Sequence, residues 1–451
     1  MAVTNKNEAF FLFLGDLFFF FLALFIMLFV RLNEMPNAQV FFEHVISFSI
    51  IFVLWLVVFF IAGLYEKHTL ILKNRIPTII FNAQLVNSAI AVLFFYLVPF
   101  FGIAPKTNLF LYVVISFALI LFWRIRGISI LSVHERQKAI LIGGGEESEE
   151  LKNEVNNNPR YGLYFVASVD SNKIGDVGFR EEISKKILRE NVRIVAADFK
   201  DNKVGPILPN LYNLIFSKVR FVDTHKIYED IFDRVPMSLV RYSWFLENVS
   251  VSAKKTYDLL KRLMDILVSS VVGLISLIFY PFVVAAIKIE DRGPIFITQE
   301  RVGENNKIIK VVKFRSMTTN DQGEYFQDIA KNNKITKVGN YLRKFRIDEL
   351  PQLWNVLRGD LSLIGPRPEL PALASHYEKE IPYYNVRHLI KPGLSGWAQL
   401  YQRKPPKGMM AINETKLKLS YDLYYLKNCS LMLDLKIILK TVKTLLSSNG
   451  I

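Results

Sequence analysis

Four long apolar runs dominate the first quarter of the chain, at residues 10–30, 45–64, 79–102 and 108–123. Each is close to the ~20 residues that an α-helix needs to cross ~30 Å of hydrocarbon. A chain of 451 residues that is 51% apolar needs either an unusually large core or a bilayer, and runs of this length point to the bilayer. Phe10–Val30 is too long for the core of a signal peptide, and no small-residue cleavage site follows it, so it reads as a span. Lys67, His68, Lys73 and Arg75 follow the second run, and Arg124, Arg126, Arg136 and Lys138 follow the fourth. The loops after the first and third runs hold only Arg31 and Lys106 as full cations. Basic loops stay in the cytoplasm, so both ends of this four-helix block are expected there. Asp16 lies inside the first run. An acid at membrane depth is a functional candidate, but Asp16 is near enough to the helix start to reach the interface.

From Gln137 the texture changes. Lys138–Gly145 (KAILIGGG) is a buried-strand run entering a glycine turn, and an acidic helical stretch follows over Glu146–Val155. Tyr164–Asp170, Val192–Asp198 and Val219–Asp223 repeat the strand pattern. Alternation of this kind predicts a parallel, doubly wound sheet. A glycine turn before a helix can hold a diphosphate. Here Ser148 occupies the place of a third glycine, and Glu146, Glu147, Glu149 and Glu150 would repel an anion. Asp170 stands at the ribose-binding offset, where a strand-ending Asp is also ordinary. The expectation is a Rossmann-like domain with an empty or degenerate site.

A fifth apolar run, Ile266–Ile287, holds no charge and contains Pro281. Its flanks are both basic: Lys254, Lys255, Lys261 and Arg262 before it, Lys288, Arg292, Arg301, Lys307, Lys310, Lys313 and Arg315 after it. The charge rule wants both flanks in the cytoplasm. A helix broken at Pro281, dipping into one leaflet and returning, satisfies that rule, whereas an ordinary fifth span does not.

Three features mark the last part of the chain. Lys313, Arg315, Lys337, Arg343, Lys344 and Arg346 concentrate cations beside a membrane element, where they bind phosphates or anionic lipid. Arg346–Arg358 (RIDELPQLWNVLR) places Asp348 and Glu349 before Pro351, which suits the first position of a helix and biases Leu350 away from helical angles. Gly365-Pro366-Arg367-Pro368 fixes one arginine between two prolines, ready for bidentate phosphate binding. Singly these are ordinary caps and turns. Together they offer one carboxylate to attack phosphorus, another to hold a divalent cation, and arginines to neutralise phosphate.

Ile289–Met317, Asp348–Glu369 (DELPQLWNVLRGDLSLIGPRPE) and Lys391–Gln399 (KPGLSGWAQ) resemble the motifs of the bacterial sugar transferase family, the monotopic phosphoglycosyl transferases. The likeness covers about residues 255–451. The whole layout is similar to the family's large branch, the undecaprenyl-phosphate galactose or glucose phosphotransferases. The resemblance implies that Asp348 attacks a UDP-sugar to give a phosphosugar–aspartyl enzyme and UMP, and that undecaprenyl phosphate then takes up the sugar phosphate. It implies that Glu349 binds Mg2+, that Arg343 and Arg367 contact phosphate, and that the break at Pro281 is a re-entrant anchor. Lys391-Pro392-Gly393, Leu394-Ser395-Gly396 and Leu400-Tyr401-Gln402-Arg403 depart from the family's usual wording, outside the Asp-Glu core.

The expected architecture is therefore a membrane α-helical N-terminal bundle over 1–134, a central α/β Rossmann-like (CoA- or nucleotide-binding-like) domain over 135–245, and a mostly α catalytic domain over 246–451 with a re-entrant helix at 263–287. Its setting is the bacterial inner membrane, with the catalytic domain on the cytoplasmic face and a homodimer as a further expectation. Lys436, Lys440 and Lys443 share one face of Leu431–Leu446, which reads as an interfacial helix or a soluble core helix; Tyr421, Tyr424 and Tyr425 suit headgroup depth or internal packing. One cysteine, Cys429, excludes an internal disulfide. The net charge of +15 does not indicate nucleic acid, because it lies beside membrane segments without a binding motif. A membrane scaffold or nucleotide sensor, and a polytopic transferase with its site among the spans, are the competing classes.

Overall fold

The architecture comes from a computed structural model, which describes residues 8–65, 76–98, 105–131, 136–158, 161–170, 185–187, 189–249, 255–318, 335–402, 406 and 411–446. The basic loop at 66–75, Lys254 and Arg403 lie outside the described residues. The chain divides into two compact units, Met1–Asp230 and Ile231–Ile451.

In the first unit, helices α1 (Glu8–Leu32), α2 (Ala38–Ala62), α3 (Ile76–Leu97) and α4 (Pro105–Leu131) form a bundle. All four are long and apolar enough to cross a membrane, and the protein is membrane-embedded. Helix α3 ends at Leu97, and Val98, which precedes Pro99, is restrained from helical angles; the end of the apolar run at 99–102 lies outside the described residues. Phe20, Phe52, Trp55 and Tyr112 stack at the bundle centre. Asp16 does not turn outward. It is fully buried and paired with the equally buried Arg124, and it accepts a hydrogen bond from Tyr65 Oη at 2.7 Å. Arg124 Nη1 also donates to Leu64 O at 2.7 Å.

Strand β1 (Gln137–Ile142), helix α5 (Glu146–Asn157), β2 (Leu163–Val169), β3 (Ile194–Ala197), helix α6 (Leu208–Asn213), β4 (Arg220–Asp223) and helix α7 (Thr224–Phe232) follow. The sheet is parallel throughout, in the order β2-β1-β3-β4, as the buried runs required. Gly145 takes a left-handed φ of 87° at the start of α5. Ser148, in the first turn of α5, is buried; its Oγ donates to Gly144 O at 3.2 Å and would meet a Cβ at Gly143.

The second unit contains helix α8 (Tyr242–Asn248), whose Trp244 packs with Val235, Leu370, Tyr377 and Leu423. Helices α9 (Lys255–Leu277) and α10 (Tyr280–Asp291) meet at a bend of 55°. The bend has a local cause. Pro281 has no N–H to give to the carbonyl four residues earlier, that of Leu277, where α9 ends. Two short-range bonds, Ile278 N to Ile275 O and Phe279 N to Ser276 O, close the last turn instead.

Strands β5 (Phe296–Val302) and β6 (Ile308–Phe314) make an antiparallel hairpin. Helix α11 (Lys337–Lys344), a 3-10 turn (Ile347–Glu349), helix α12 (Gln352–Arg358), β7 (Ser362–Ile364), helix α13 (Pro371–Glu380), β8 (Gly393–Ser395), and helices α14 (Trp397–Tyr401), α15 (Ile412–Asn428) and α16 (Leu431–Leu446) complete the unit. Two of the α16 lysines turn inward: Lys436 lies 4.9 Å from the Trp397 ring and Lys440 4.1 Å from that of Tyr401. Met432, Leu435, Val442 and Leu445 are left outside. Tyr425 is buried, and Tyr421 and Tyr424 pack beside it with Trp397, so these tyrosines are internal rather than displayed at the surface.

Candidate active site

Asp348 and Glu349 sit in the 3-10 turn between α11 and α12. Arg346, at φ 54°, separates that turn from α11. Leu350 and Pro351 then take right-handed helical angles (φ −55°, ψ −37° and φ −61°, ψ −20°). The expectation that Pro351 would push Leu350 out of the helical region is therefore corrected. Leu350 N bonds to Ile347 O and Leu353 N to Leu350 O, and this continuous winding outweighs the pre-proline bias.

Neighbouring elements hold the turn in place. Glu290, near the end of α10, accepts from Lys337 N at 2.6 Å and Val338 N at 3.0 Å, and Thr336 Oγ1 accepts from Gly339 N. These bonds satisfy the free N–H groups of α11. Gly339 and Arg343, four residues apart, share one face of α11. Gly339 lies so close to the Ser316 backbone that a Cβ there would overlap it, while Arg343 Nε donates to Ser316 Oγ at 2.8 Å. Val283 and Ile287 of α10 pack with Phe314, Leu342 and Ile347, so α10 backs the 3-10 turn that carries Asp348. On the other side, Asn355 of α12 donates to Lys310 O (2.8 Å) and accepts from Val312 N (3.2 Å), which ties α12 to the strand carrying Lys313. Arg262 of α9 donates to the Val356 and Leu357 carbonyls at 2.6 and 2.7 Å, at the negative end of α12.

Asp348 is only 8% exposed. Burial, then the neighbouring Glu349, push its carboxyl up to about 6, against the opposing pull of Lys313, Arg343 and Arg367. Glu349 behaves differently. Burial would raise it, but Arg367 and Arg346 hold it below the usual carboxylate range. Arg367 Nη2 lies 2.9 Å from one Glu349 oxygen and Arg346 Nη1 3.5 Å from the other. Two adjacent carboxylates thus have opposite tendencies, one moved toward neutrality and one held ionised, a pattern that separates chemical roles.

The Gly365–Pro368 turn is fixed from below. Gly365 N bonds to Ser395 O and Gly393 N to Pro366 O, and Gly365, Gly393 and Gly396 approach so closely that no Cβ fits. Arg387, fully buried, donates to the Arg367 carbonyl (3.0 Å) and pairs with Asp422 (2.8 Å). Glu369 pairs with Lys418; burial would raise its carboxyl, yet Lys418 and Arg387 hold it at about 2.

Of the residues singled out in the sequence, Asp348, Glu349, Lys313, Arg343 and Arg367 come together. The guanidinium of Arg315 lies close to Gly293. Pro281 acts at the bend. Sequence reasoning did not pick out Arg346 as a partner of Glu349, nor the contacts of Ser316, Asn355, Arg262 and Arg387, which reach across 20 to 95 positions. Ser316 and Asn355 lie inside the motifs, and Arg262 was named only as a flanking cation.

Residues 256–448 match the bacterial sugar transferase family model. The chain is similar to the UDP-N-acetylgalactosamine-undecaprenyl-phosphate N-acetylgalactosaminephosphotransferase of Aeromonas hydrophila (43% identity, over 43% of this chain and 45% of the relative). It is similar also to the UDP-glucose:undecaprenyl-phosphate glucose-1-phosphate transferase of Klebsiella pneumoniae (39% identity, 40% and 39%). A third relative, the exopolysaccharide production protein PSS of Rhizobium leguminosarum bv. phaseoli, is 39% identical, with 41% of this chain and 93% of the relative matched. The chain belongs to the bacterial sugar transferase family. The matched stretch spans less than half the length of the first two relatives.

Proposed function

We propose that the protein transfers hexose-1-phosphate from a UDP-sugar to undecaprenyl phosphate, or another polyprenyl phosphate, and so initiates assembly of an exopolysaccharide, capsule, O-antigen or other glycan. The observation that carries this reading is a buried carboxylate, Asp348, with Lys313, Arg343 and Arg367 acting on it and Glu349 beside it. An Asp348 oxygen attacks the sugar-bearing phosphorus; an O–P bond forms, the bond to the UMP oxygen breaks, and UMP leaves. A lipid phosphate oxygen then attacks the same phosphorus and frees the carboxylate. With its acid shifted to about 6, Asp348 is ionised at neutral pH yet poorly solvated, which favours nucleophilic attack. Lys313, Arg343 and Arg367 neutralise the charge that accumulates on the phosphates.

The donor chemistry suits Mg2+ held jointly with substrate. Mg2+ takes one or two carboxylates plus phosphate and water oxygens, and no cluster of three or more metal-binding side chains occurs among the described residues. Glu349 would hold it. When bound, it would spread the charge of the diphosphate.

The bent α9–α10 pair is read as a re-entrant anchor, with its basic flanks and the catalytic unit on the cytoplasmic side of the inner membrane. The β2-β1-β3-β4 sheet is read as Rossmann-like, with Ser148 bonded to its glycine turn. The test is a UMP-release assay across UDP-sugars with undecaprenyl phosphate and Mg2+. Asp348→Asn should lose at least ~10³-fold in turnover, and intact-mass analysis of the wild type without lipid should show a phosphosugar adduct. Normal turnover by Asp348→Asn would refute the mechanism.

A further inference from the structure

Glu349 is clamped by two guanidiniums, Arg367 on one oxygen and Arg346 on the other. A divalent cation approaching Glu349 would meet two positive groups already seated there, with Lys313 and Arg343 acting on the adjacent carboxylate. The two arginines are not held alike. The backbone at Arg367 is locked by Pro366 and Pro368, by the Gly393 N–H on Pro366 O and by Arg387 on its own carbonyl. Its side chain, however, is 43% exposed, against 28% for Arg346 and 18% for Glu349. A pinned backbone with an outward side chain lets the guanidinium change partner without disturbing the turn. A diphosphate offers it bidentate acceptors with more negative charge than one carboxylate.

We propose that Arg367 masks Glu349 until a nucleotide diphosphate draws the guanidinium away, so that Glu349 accepts a divalent cation together with the nucleotide and not before it. This rests on the function proposed above and adds an order of events to it. The unliganded protein would thus not retain a resident metal, and the cation would enter as its nucleotide complex. Arg346 stays on Glu349 and keeps the carboxylate oriented while Arg367 moves.

The experiment uses the full-length protein in nanodiscs, with Mn2+ as the probe. Free Mn2+ is followed by electron paramagnetic resonance, with and without UDP, and corrected for Mn2+ bound by UDP in solution. Mn2+ should bind wild-type protein at least about tenfold more tightly when UDP is present. Arg367→Gln should tighten binding of Mn2+ alone by about five- to tenfold, and Glu349→Gln should remove the protein-dependent binding in both conditions. Equal Mn2+ affinity with and without UDP in the wild type would overturn the proposal, and so would its failure to bind in either condition. Should Arg367→Gln fail to fold, the wild-type comparison still decides, and Arg367→Lys, which keeps the charge, should show at most a small gain. UMP release is scored separately. A protein that turns over a UDP-sugar yet binds Mn2+ equally with or without UDP keeps the proposed function and loses this ordering. One that shows the ordering and releases no UMP from any UDP-sugar loses the proposed function.

Discussion

Gly339→Ala should cripple the site, although helix propensity alone argues the opposite. Alanine in place of glycine inside a helix ordinarily stabilises by roughly 1 kcal/mol. At Gly339 the added methyl would overlap the Ser316 main chain, its O, C and Cα atoms, and a main chain cannot rotate away as a flexible side chain can. Relief requires α11 to move outward by about 1 Å, at an overpacking cost of roughly 1–3 kcal/mol. That movement carries Arg343, on α11, off Ser316 and shifts the turn bearing Asp348, which follows α11 directly. Displacements of ~1 Å at a reacting centre cost on the order of 10²-fold. The assay is kcat/KM for UMP release, with membrane yield and thermal stability in detergent measured alongside. Gly273→Ala on α9 is the control, because a Cβ there meets nothing within 4 Å; it should keep full activity. A Gly339→Ala protein as active as the Gly273→Ala control would refute the argument that α11 is seated on Ser316.

Two further outcomes follow from the electrostatics. In the proposed mechanism Asp348 loses its proton to attack, and its acid is raised to about 6, so kcat/KM should climb with pH and level off above that value; a flat profile between pH 5 and 7 would contradict the assignment. In the bundle, Asp16→Asn leaves the fully buried Arg124 uncompensated and should destabilise by about 3–5 kcal/mol, whereas the double change Asp16→Leu with Arg124→Met should restore most of the loss. Thermal aggregation of the detergent-solubilised protein distinguishes the two, and equal stability of the single and double variants would show the pair to be unimportant.

Much of this molecule was determined by residue order alone, because its strongest signals are local. Four apolar runs specified four helices, since a backbone in hydrocarbon must bond within its own segment. Strand-like runs such as Lys138–Ile142 specified a parallel sheet. Pro281 specified a break, because the missing N–H acts on the carbonyl four residues earlier. The Asp348-Glu349 pair and the Pro-Arg-Pro turn, ordinary when taken alone, stood out through the family motifs that contain them. Packing decided the rest. The pre-proline bias at Leu350 is a small local preference, and a continuous turn overrode it. The Leu431–Leu446 lysines read as one helix face from their spacing, but only the aromatic rings of Trp397 and Tyr401 drew two of them inward. Asp16 could be judged only once Arg124, more than one hundred residues away, was seen against it. Above all, the contrast between a carboxylate raised by burial and its neighbour clamped by two arginines arises from side chains brought together across the fold. Such through-space fields depend on distance and burial, and neither is written in the order of residues.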